Sequence, residues 1–275
     1  MKEICEICFH HCVLKDGEIG FCRARKNQNG KIIPINYGKI TSISLDPIEK
    51  KPLRQFYSGK KILSIGSFGC NLRCPFCQNY EISMAQETQC GQIFCTPTQL
   101  FRKAQELVPK GNIGLAYTYN EPLVGYEFVR NCAKKIHEGN LKNVLVTNGT
   151  ICKEPLQELL PLIDAANVDL KAFTPQFYQK IAGNLEVVKE TIRMMADHCH
   201  LEVTTLVIPG ENDSIEEMKE LSFWLSSVRR DIPLHITRFF PRYQFKNYPP
   251  TPVETIHRLC ETAREFLEYV YPGNC

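Results

Sequence analysis

Seven of the chain's fourteen cysteines fall into two short clusters, and their spacing suggests metal chemistry. The later cluster reads Gly69-Cys70-Asn71-Leu72-Arg73-Cys74-Pro75-Phe76-Cys77-Gln78-Asn79, a C-x3-C-x2-C triplet. Thiolates are soft ligands suited to zinc, copper(I) and iron–sulfur clusters. A cubane cluster closed entirely by protein takes four cysteines. Here one loop offers three, and the nearest later cysteine, Cys90, stands apart. Three thiolates on a cubane leave one iron open, and an open coordination position marks a metal that meets a substrate or cofactor. A zinc knot completed by a distant ligand, or unrelated buried thiols, is the blander alternative.

The earlier cluster, Cys5-x2-Cys8-x3-Cys12-x9-Cys22, brings four thiols into eighteen residues, with His10 and His11 between them. All the ligands of a closed site are present. This suits a tetrahedral zinc or a second iron–sulfur cluster, structural or electron-relaying. Four reduced, unliganded thiols are the alternative. The scattered cysteines (Cys90, Cys95, Cys132, Cys152, Cys199, Cys260 and Cys275) read as small hydrophobes.

These residues need elements to hold them. From about residue 61, apolar runs at 61–66, 113–118, 142–147, 165–171, 200–208 and 232–239 read as strands. Helical patterns lie at about 97–108, 122–138, 154–161, 174–197, 214–227 and 252–268. Thr96-Pro97 fits an N-cap followed by proline at the first helical position. Six strands alternating with helices predict a parallel sheet with right-handed crossovers. The spacing fits an open or partial (β/α) barrel, and a doubly wound sheet matches the same pattern. Residues 1–60, with Gly turns and short β-prone pieces, read as a small Cys-rich module preceding a core at 61–275. In such folds ligands sit beyond the carboxyl ends of the strands. Polar residues follow several of those ends: Gly69-Cys70, Tyr119-Asn120-Glu121, Thr147-Asn148-Gly149, Asp169-Leu170-Lys171 and His235 to Tyr243.

The 275 residues carry 33 Lys and Arg against 30 Asp and Glu, a net charge of +3, too balanced to require nucleic acid or an anionic membrane. No apolar run approaches the ~18 residues of a membrane span. The opening Met1-Lys2-Glu3-Ile4-Cys5 lacks the apolar region of a secretion signal. The expectation is a cytoplasmic chain with reduced cysteines and no membrane or nucleic-acid partner.

A C-x3-C-x2-C loop after the first strand of a (β/α) barrel resembles the radical S-adenosylmethionine (SAM) superfamily. Within it the chain is similar to the pyruvate formate-lyase-activating-enzyme-like group. A closer likeness, to the radical SAM enzyme of the AmmeMemoRadiSam system, runs through Leu45 to Leu53, Phe56-Tyr57, Gly69 to Asn79, Tyr119-Asn120-Glu121-Pro122, Val146 to Gly149, Val168 to Lys171, Ile208-Pro209-Gly210 and His235 to Pro241. The resemblance implies a partial (β/α)6 TIM-like barrel of the radical SAM type. It implies a [4Fe–4S] cluster on Cys70, Cys74 and Cys77 whose open iron chelates SAM. Reductive cleavage of SAM then gives a 5′-deoxyadenosyl radical that takes hydrogen from a substrate. It further implies a reductant such as flavodoxin or ferredoxin and, from the activating-enzyme group, a polypeptide substrate. A non-catalytic iron–sulfur carrier or redox sensor is the rival reading; a carrier needs no pocket built from several strand ends.

In that light Glu121 is a candidate acceptor for the SAM amino group, with a solvated loop carboxylate as alternative. Phe76, Asn120 and Asn148 are further cofactor candidates, Asn148 equally a turn former. Asp169 and Lys171 share one strand face and suit a ribose hydroxyl and the SAM carboxylate, or simply each other. His235 and Arg238 are expected to end the sixth strand, with His235 or Tyr243 standing in for a histidine that relatives carry where this chain has Phe240. Tyr126 and Glu127 are candidate substrate contacts or ordinary helix surface. Tyr119 and Asn120 replace the two glycines that open the corresponding motif in many relatives.

Overall fold

The computed structural model describes residues 2–275. The first cysteine cluster is laced between short antiparallel pairs: β1 (Lys2–Ile4) with β2 (Val13–Lys15), and β3 (Arg25–Gln28) with β4 (Lys31–Pro34). The β3–β4 turn is Asn29-Gly30, with φ of 53° and 75°. Positive φ at both positions gives a turn whose twist matches that of the strands.

The chain then passes through β5 (Lys39–Ile40) into β6 (Ser42–Pro47) and β7 (Lys61–Gly66), and β8 (Ile93–Phe94) returns to pair with β5. The strands β9 (Asn112–Tyr117), β10 (Lys142–Thr147), β11 (Ala165–Asp169), β12 (His200–Val207), β13 (Leu234–Arg238) and β14 (Val270–Gly273) complete the main sheet. Its order is β14-β13-β12-β11-β10-β9-β7-β6, parallel throughout except for β6, which lies antiparallel to β7. The six expected strands are β7 and β9 to β13. Two edge strands were not anticipated. Strand β14 is four residues long and contains a proline, and β6 falls inside the stretch read as the N-terminal module.

The helices are α1 (Tyr80–Ser83), α2 (Pro97–Glu106), α3 (Tyr126–Glu138), α4 (Lys153–Leu159), α5 (Pro175–Lys180), α6 (Leu185–Ala196), α7 (Ile215–Val228) and α8 (Val253–Arg264). Thr96 caps α2 in a reciprocal arrangement with Gln99, as Thr-Pro predicts. Helix α3 buries Phe128, Val129, Cys132, Ala133 and Ile136 on one face, so Cys132 is the small hydrophobe expected of it.

The single helix expected over 174–197 is two helices. The Gly183 N–H donates to Tyr178 O at 2.7 Å and the Ala182 N–H to Gln179 O at 3.1 Å, with Ala182 at φ 54°. This crossed pair of bonds ends α5 in a left-handed residue. A side chain at 183 would put its Cβ 2.7 Å from the Tyr178 ring. Asn184 then caps α6 by accepting from the N–H groups of Glu186 and Val187. The stop–start signal was Gly-Asn, read over by an apolar period that continues through it.

The segment between β6 and β7 crosses the amino-terminal ends of the strands. Ile48 and Leu53 are fully buried there against Ile62, Ala116, Val144 and Ala165. Asn167 Nδ2 donates to Pro52 O at 2.9 Å. Glu202, fully buried on β12, accepts from the N–H groups of Arg54 and Gln55 and lies 2.9 Å from His200 Nε2 and 2.5 Å from His235 Nε2. His235 is the second residue of β13, not near its end, so it belongs to this floor and not to the mouth where a cofactor was expected. The strand begins later than its apolar run because Pro233 supplies no N–H.

Burial alone would raise the Glu202 carboxyl; the two histidines and two backbone N–H groups outweigh it and hold the group at about 2. Its stabilising charge is present above the ordinary carboxylate range near pH 4.5 and is lost as pH falls toward 2. Glu202→Gln presents an amide N–H to donors and is expected to cost about 1–3 kcal/mol at neutral pH. Urea midpoints across that acid range should fall for the wild type and change little for the variant.

Candidate metal and cofactor site

The triplet loop leaves the carboxyl end of β7 and is pinned by distant parts of the chain. Cys70 N–H donates to Cys22 O at 3.2 Å, Arg73 N–H to Ile181 O at 2.8 Å, and Gln244 N–H to Pro75 O at 2.9 Å. Gly69 has φ 91°, and a Cβ there would lie 2.6 Å from Cys22 O, so close backbone approach requires glycine. Asn120 holds the loop from inside, accepting from Ser67 N–H at 3.0 Å and donating to Gly69 O at 2.9 Å. It is a positioning residue.

Glu121 is buried at the mouth of the sheet. Its Oε1 accepts from Thr147 Oγ1 at 2.8 Å and Leu123 N–H at 3.0 Å, and its Oε2 from Asn148 N–H at 2.8 Å. Burial raises its carboxyl to about 7 even though these three donors pull the other way and Asp169 adds a small further rise. Asn148 Nδ2 donates to Asn71 Oδ1 at 2.9 Å and lies 3.7 Å from Cys70 Sγ. Lys171 Nζ donates to Asp169 Oδ2 at 2.7 Å. Burial works against the Lys171 charge, but Asp169 and the Cys74 thiol favour it and win. Glu121, Asn148, Asp169, Lys171 and the triplet therefore occupy one region at the carboxyl ends of β7 and β9 to β11, as their positions in the sequence predict.

The thiols themselves favour a cationic guest. Burial pushes Cys74 up to about 12 and Cys70 well above its ordinary value. Glu121, Cys74 and Cys77 raise Cys70 further, whereas at Cys74 the Lys171 charge pulls down and Cys77 and Asp169 push up. Thiolates at Cys70 and Cys74 beside a carboxylate are tolerable only against a compensating metal charge. Among the described residues, no three His, Cys, Asp or Glu side chains are grouped closely enough to hold one metal ion. The thiolates on a cubane each bind a different iron, so they need not converge on one point. Three thiols on one loop fit the donor set of a cluster that leaves one iron open.

Other expected contacts go elsewhere. Phe76 is buried between the rings of Phe177 and Phe245, 6.0 Å from each centroid, and supports the loop. Glu127 pairs bidentately with the buried Arg25, tying α3 to the N-terminal module. Tyr126 donates to Glu158 at 3.0 Å, and Arg238 Nε to Thr251 O at 2.6 Å. Tyr243 stacks on Tyr80 at 4.5 Å beside the triplet loop. Cys90 packs near Cys22, Ala24 and Phe68 in a separate apolar cluster.

Tyr119 shows what replaces a glycine of the relatives. It keeps the left-handed backbone (φ 71°), and its ring runs over Gly66, where a Cβ would approach it to 2.9 Å. Its hydroxyl donates to Asp46 Oδ2 at 2.6 Å, and Lys51 Nζ, itself paired with Asp46, stands 4.6 Å from the ring centre.

Two residues escaped the sequence reading. Asn71, between the first two triplet cysteines, is buried; its Nδ2 donates to Thr150 O at 2.9 Å, its backbone oxygen lies 2.8 Å from His10 Nε2, and its Oδ1 accepts from Asn148 Nδ2 at 2.9 Å. Cys152 lies 3.8 Å from His11 Nε2 and donates its N–H to Ile7 O. The polar residue inside C-N-L-R-C was the available signal for the first; nothing in spacing foretold the second.

Residues 64–222 match the sequence profile of the Radical SAM superfamily. The protein MJ0808 of Methanocaldococcus jannaschii is 40% identical over 277 residues, covering 99% of this chain and 81% of that one. The 4-hydroxyphenylacetate decarboxylase activating enzyme of Clostridioides difficile is 26% identical over 116 residues, 41% of this chain and 37% of its own length. The solved structure of Streptococcus suis SuiB bound to S-adenosylmethionine superposes with a TM-score of 0.60 at 14% identity, covering 75% of this chain and 48% of that one, a likeness of fold.

Proposed function

The chain belongs to the radical SAM superfamily, and from that premise we propose that Cys70, Cys74 and Cys77 hold its [4Fe–4S] cluster, with SAM bound over the loop by Glu121, Asn148, Asp169 and Lys171. When bound, cluster and SAM supply a 5′-deoxyadenosyl radical that abstracts hydrogen. The protein's own work is positioning. Glu121, fixed by three donors, accepts from the SAM amino group with its remaining lone pair. Lys171, held by Asp169, meets the carboxylate. Asn148 is fixed by Asn71 beside Cys70. The floor built from residues 48–57 closes the opposite end and keeps bulk water from that side.

The observation that carries this reading is the convergence of Cys70 and Cys74 with Glu121, Asn148 and Lys171 at the carboxyl ends of neighbouring strands. The substrate is a polypeptide. The activating-enzyme relative supports this, since its name states that it acts on another enzyme. The electron comes from a low-potential donor of the flavodoxin or ferredoxin class. Among the described residues no helix is long and apolar enough to cross a membrane. The proposed location is the cytoplasm, where reduced cysteines persist. The test is anaerobic reconstitution with iron and sulfide, then SAM and dithionite. Formation of 5′-deoxyadenosine and methionine is expected. An iron–sulfur protein that leaves SAM intact would be the carrier, not the enzyme.

A further inference from the structure

We infer that Asp46, Lys51 and Tyr119 form a buried clamp that holds the Tyr119-Asn120-Glu121 turn, and that this clamp sets the Glu121 carboxylate and the triplet loop together. The inference deepens the proposed function: it rests on the SAM reading for its consequence, though not for its geometry.

The turn is one the backbone does not take unaided. The Asn120 N–H donates to Thr118 O at 3.0 Å across Tyr119, whose φ is 71°. A three-residue turn closed by such a bond at positive φ is the rare, strained form of the γ-turn. Glycine adopts that backbone freely, whereas a tyrosine has a Cβ against it. A strained residue persists where its surroundings over-determine it, and at Tyr119 they do so through the side chain. The hydroxyl donates to Asp46 Oδ2 at 2.6 Å. Lys51 Nζ donates to the same oxygen at 2.8 Å and stands 4.6 Å from the ring centre. Ser44 Oγ donates to Asp46 Oδ1 at 3.0 Å, so both carboxylate oxygens are fixed. The Lys51 and Asp46 side chains are only 3% and 12% exposed, and charge-assisted bonds are strong where water is excluded. A ring that only filled the space over Gly66 would need no shared carboxylate oxygen.

The groups held by this turn are those of the site. Tyr119 O accepts from Asn79 Nδ2 at 2.7 Å, two residues past Cys77. Asn120 spans Ser67 N–H and Gly69 O, just ahead of Cys70. Glu121 comes next, and its carboxylate receives the N–H groups of Leu123 and Asn148. Both ends of the triplet loop and the acceptor for the SAM amino group thus depend on one strained residue. Asp46, Lys51 and Tyr119 are positioning residues.

The test compares Tyr119→Phe with Tyr119→Gly. Phenylalanine keeps the ring and the strain but loses the bond to Asp46. Glycine loses the ring, the bond and the strain. A side chain that only fills space is harmed more by glycine, and a clamp on a strained turn more by phenylalanine. In the apoprotein, hydrogen exchange at the Leu123 and Asn148 amides reports whether the Glu121 carboxylate is in place. Exchange there should rise about tenfold in Tyr119→Phe, the effect of one lost charge-assisted bond. It should stay near wild type in Tyr119→Gly, although the urea midpoint falls further in that variant. Unchanged exchange in Tyr119→Phe, or faster exchange in Tyr119→Gly than in Tyr119→Phe, overturns the clamp. SAM titration of the cluster-loaded variants should follow the same order. Raised exchange with wild-type SAM affinity keeps the clamp and instead overturns the placing of Glu121 in the SAM pocket.

Discussion

Cys74→Ala is expected to yield a folded protein that makes no 5′-deoxyadenosine from SAM and dithionite. The fall should be at least about a thousandfold, roughly 4 kcal/mol in the barrier. Cys74 is central in the triplet and almost fully buried. Its loss leaves two thiolates for a cluster that already has one iron without a protein ligand. Truncation to alanine removes one sulfur from a loop still held by Arg73 and Pro75, so the fold should survive. Cys132→Ala is the matched control. That thiol is equally buried but faces the α2 side of the core on α3, and its loss should alter stability only. Equal 5′-deoxyadenosine yields from Cys74→Ala and wild type would remove the triplet from the mechanism.

SAM affinity should fall about ten- to a hundredfold in Glu121→Gln and in Lys171→Met, with cluster content unchanged. Each replaces a charge-assisted contact worth about 1.5–3 kcal/mol. The two differ in pH dependence. The Glu121 carboxyl sits at about 7 because it is buried. Below that pH it is protonated and accepts poorly; above it the carboxylate receives the amino group. Wild-type affinity should therefore rise as pH increases through 7 and then level off. Binding should release protons, which calorimetry in buffers of different ionisation enthalpy can count. The Glu121→Gln variant should be flat across that range. The raised carboxyl also means that the folded apoprotein keeps a proton that the unfolded chain releases near pH 4.5. Its stability contribution is greatest below that value and is lost as pH rises toward 7. A pH-independent wild type would take Glu121 out of the pocket.

The sheet and the triplet were legible because both leave local marks. Ile62, Leu63 and Ile65 put apolar side chains on both faces of one short run, as a strand covered on both sides must, and C-x3-C-x2-C is a spacing that little else demands. Asp169 and Lys171 were placed together by alternation alone, and they do pair. What failed depended on distant partners. His235 was assigned to the mouth from its place in an apolar run, but Pro233 delays the strand and Glu202, far away in sequence, claims the ring. Phe76 is fixed by Phe177 and Phe245, from two other loops. The chain leaves α5 through Ala182, a residue that seldom takes a left-handed conformation, and the apolar period running through Gly183-Asn184 masked the stop.

The anchors of the triplet loop also dictate an order of events at birth. Cys22, Ile181 and Gln244 all grip it, and the last of these is made 167 residues after Cys77. A nascent chain that has exposed Cys70 to Cys77 has not yet made the segments that shape them. Until Gln244 has been made, the cysteines are an unformed, oxidisable strip. Metal delivered then would meet loose thiols. Iron insertion must wait until Ile181 and Gln244 have been made, and the maturation machinery should recognise the folded loop and not the emerging peptide.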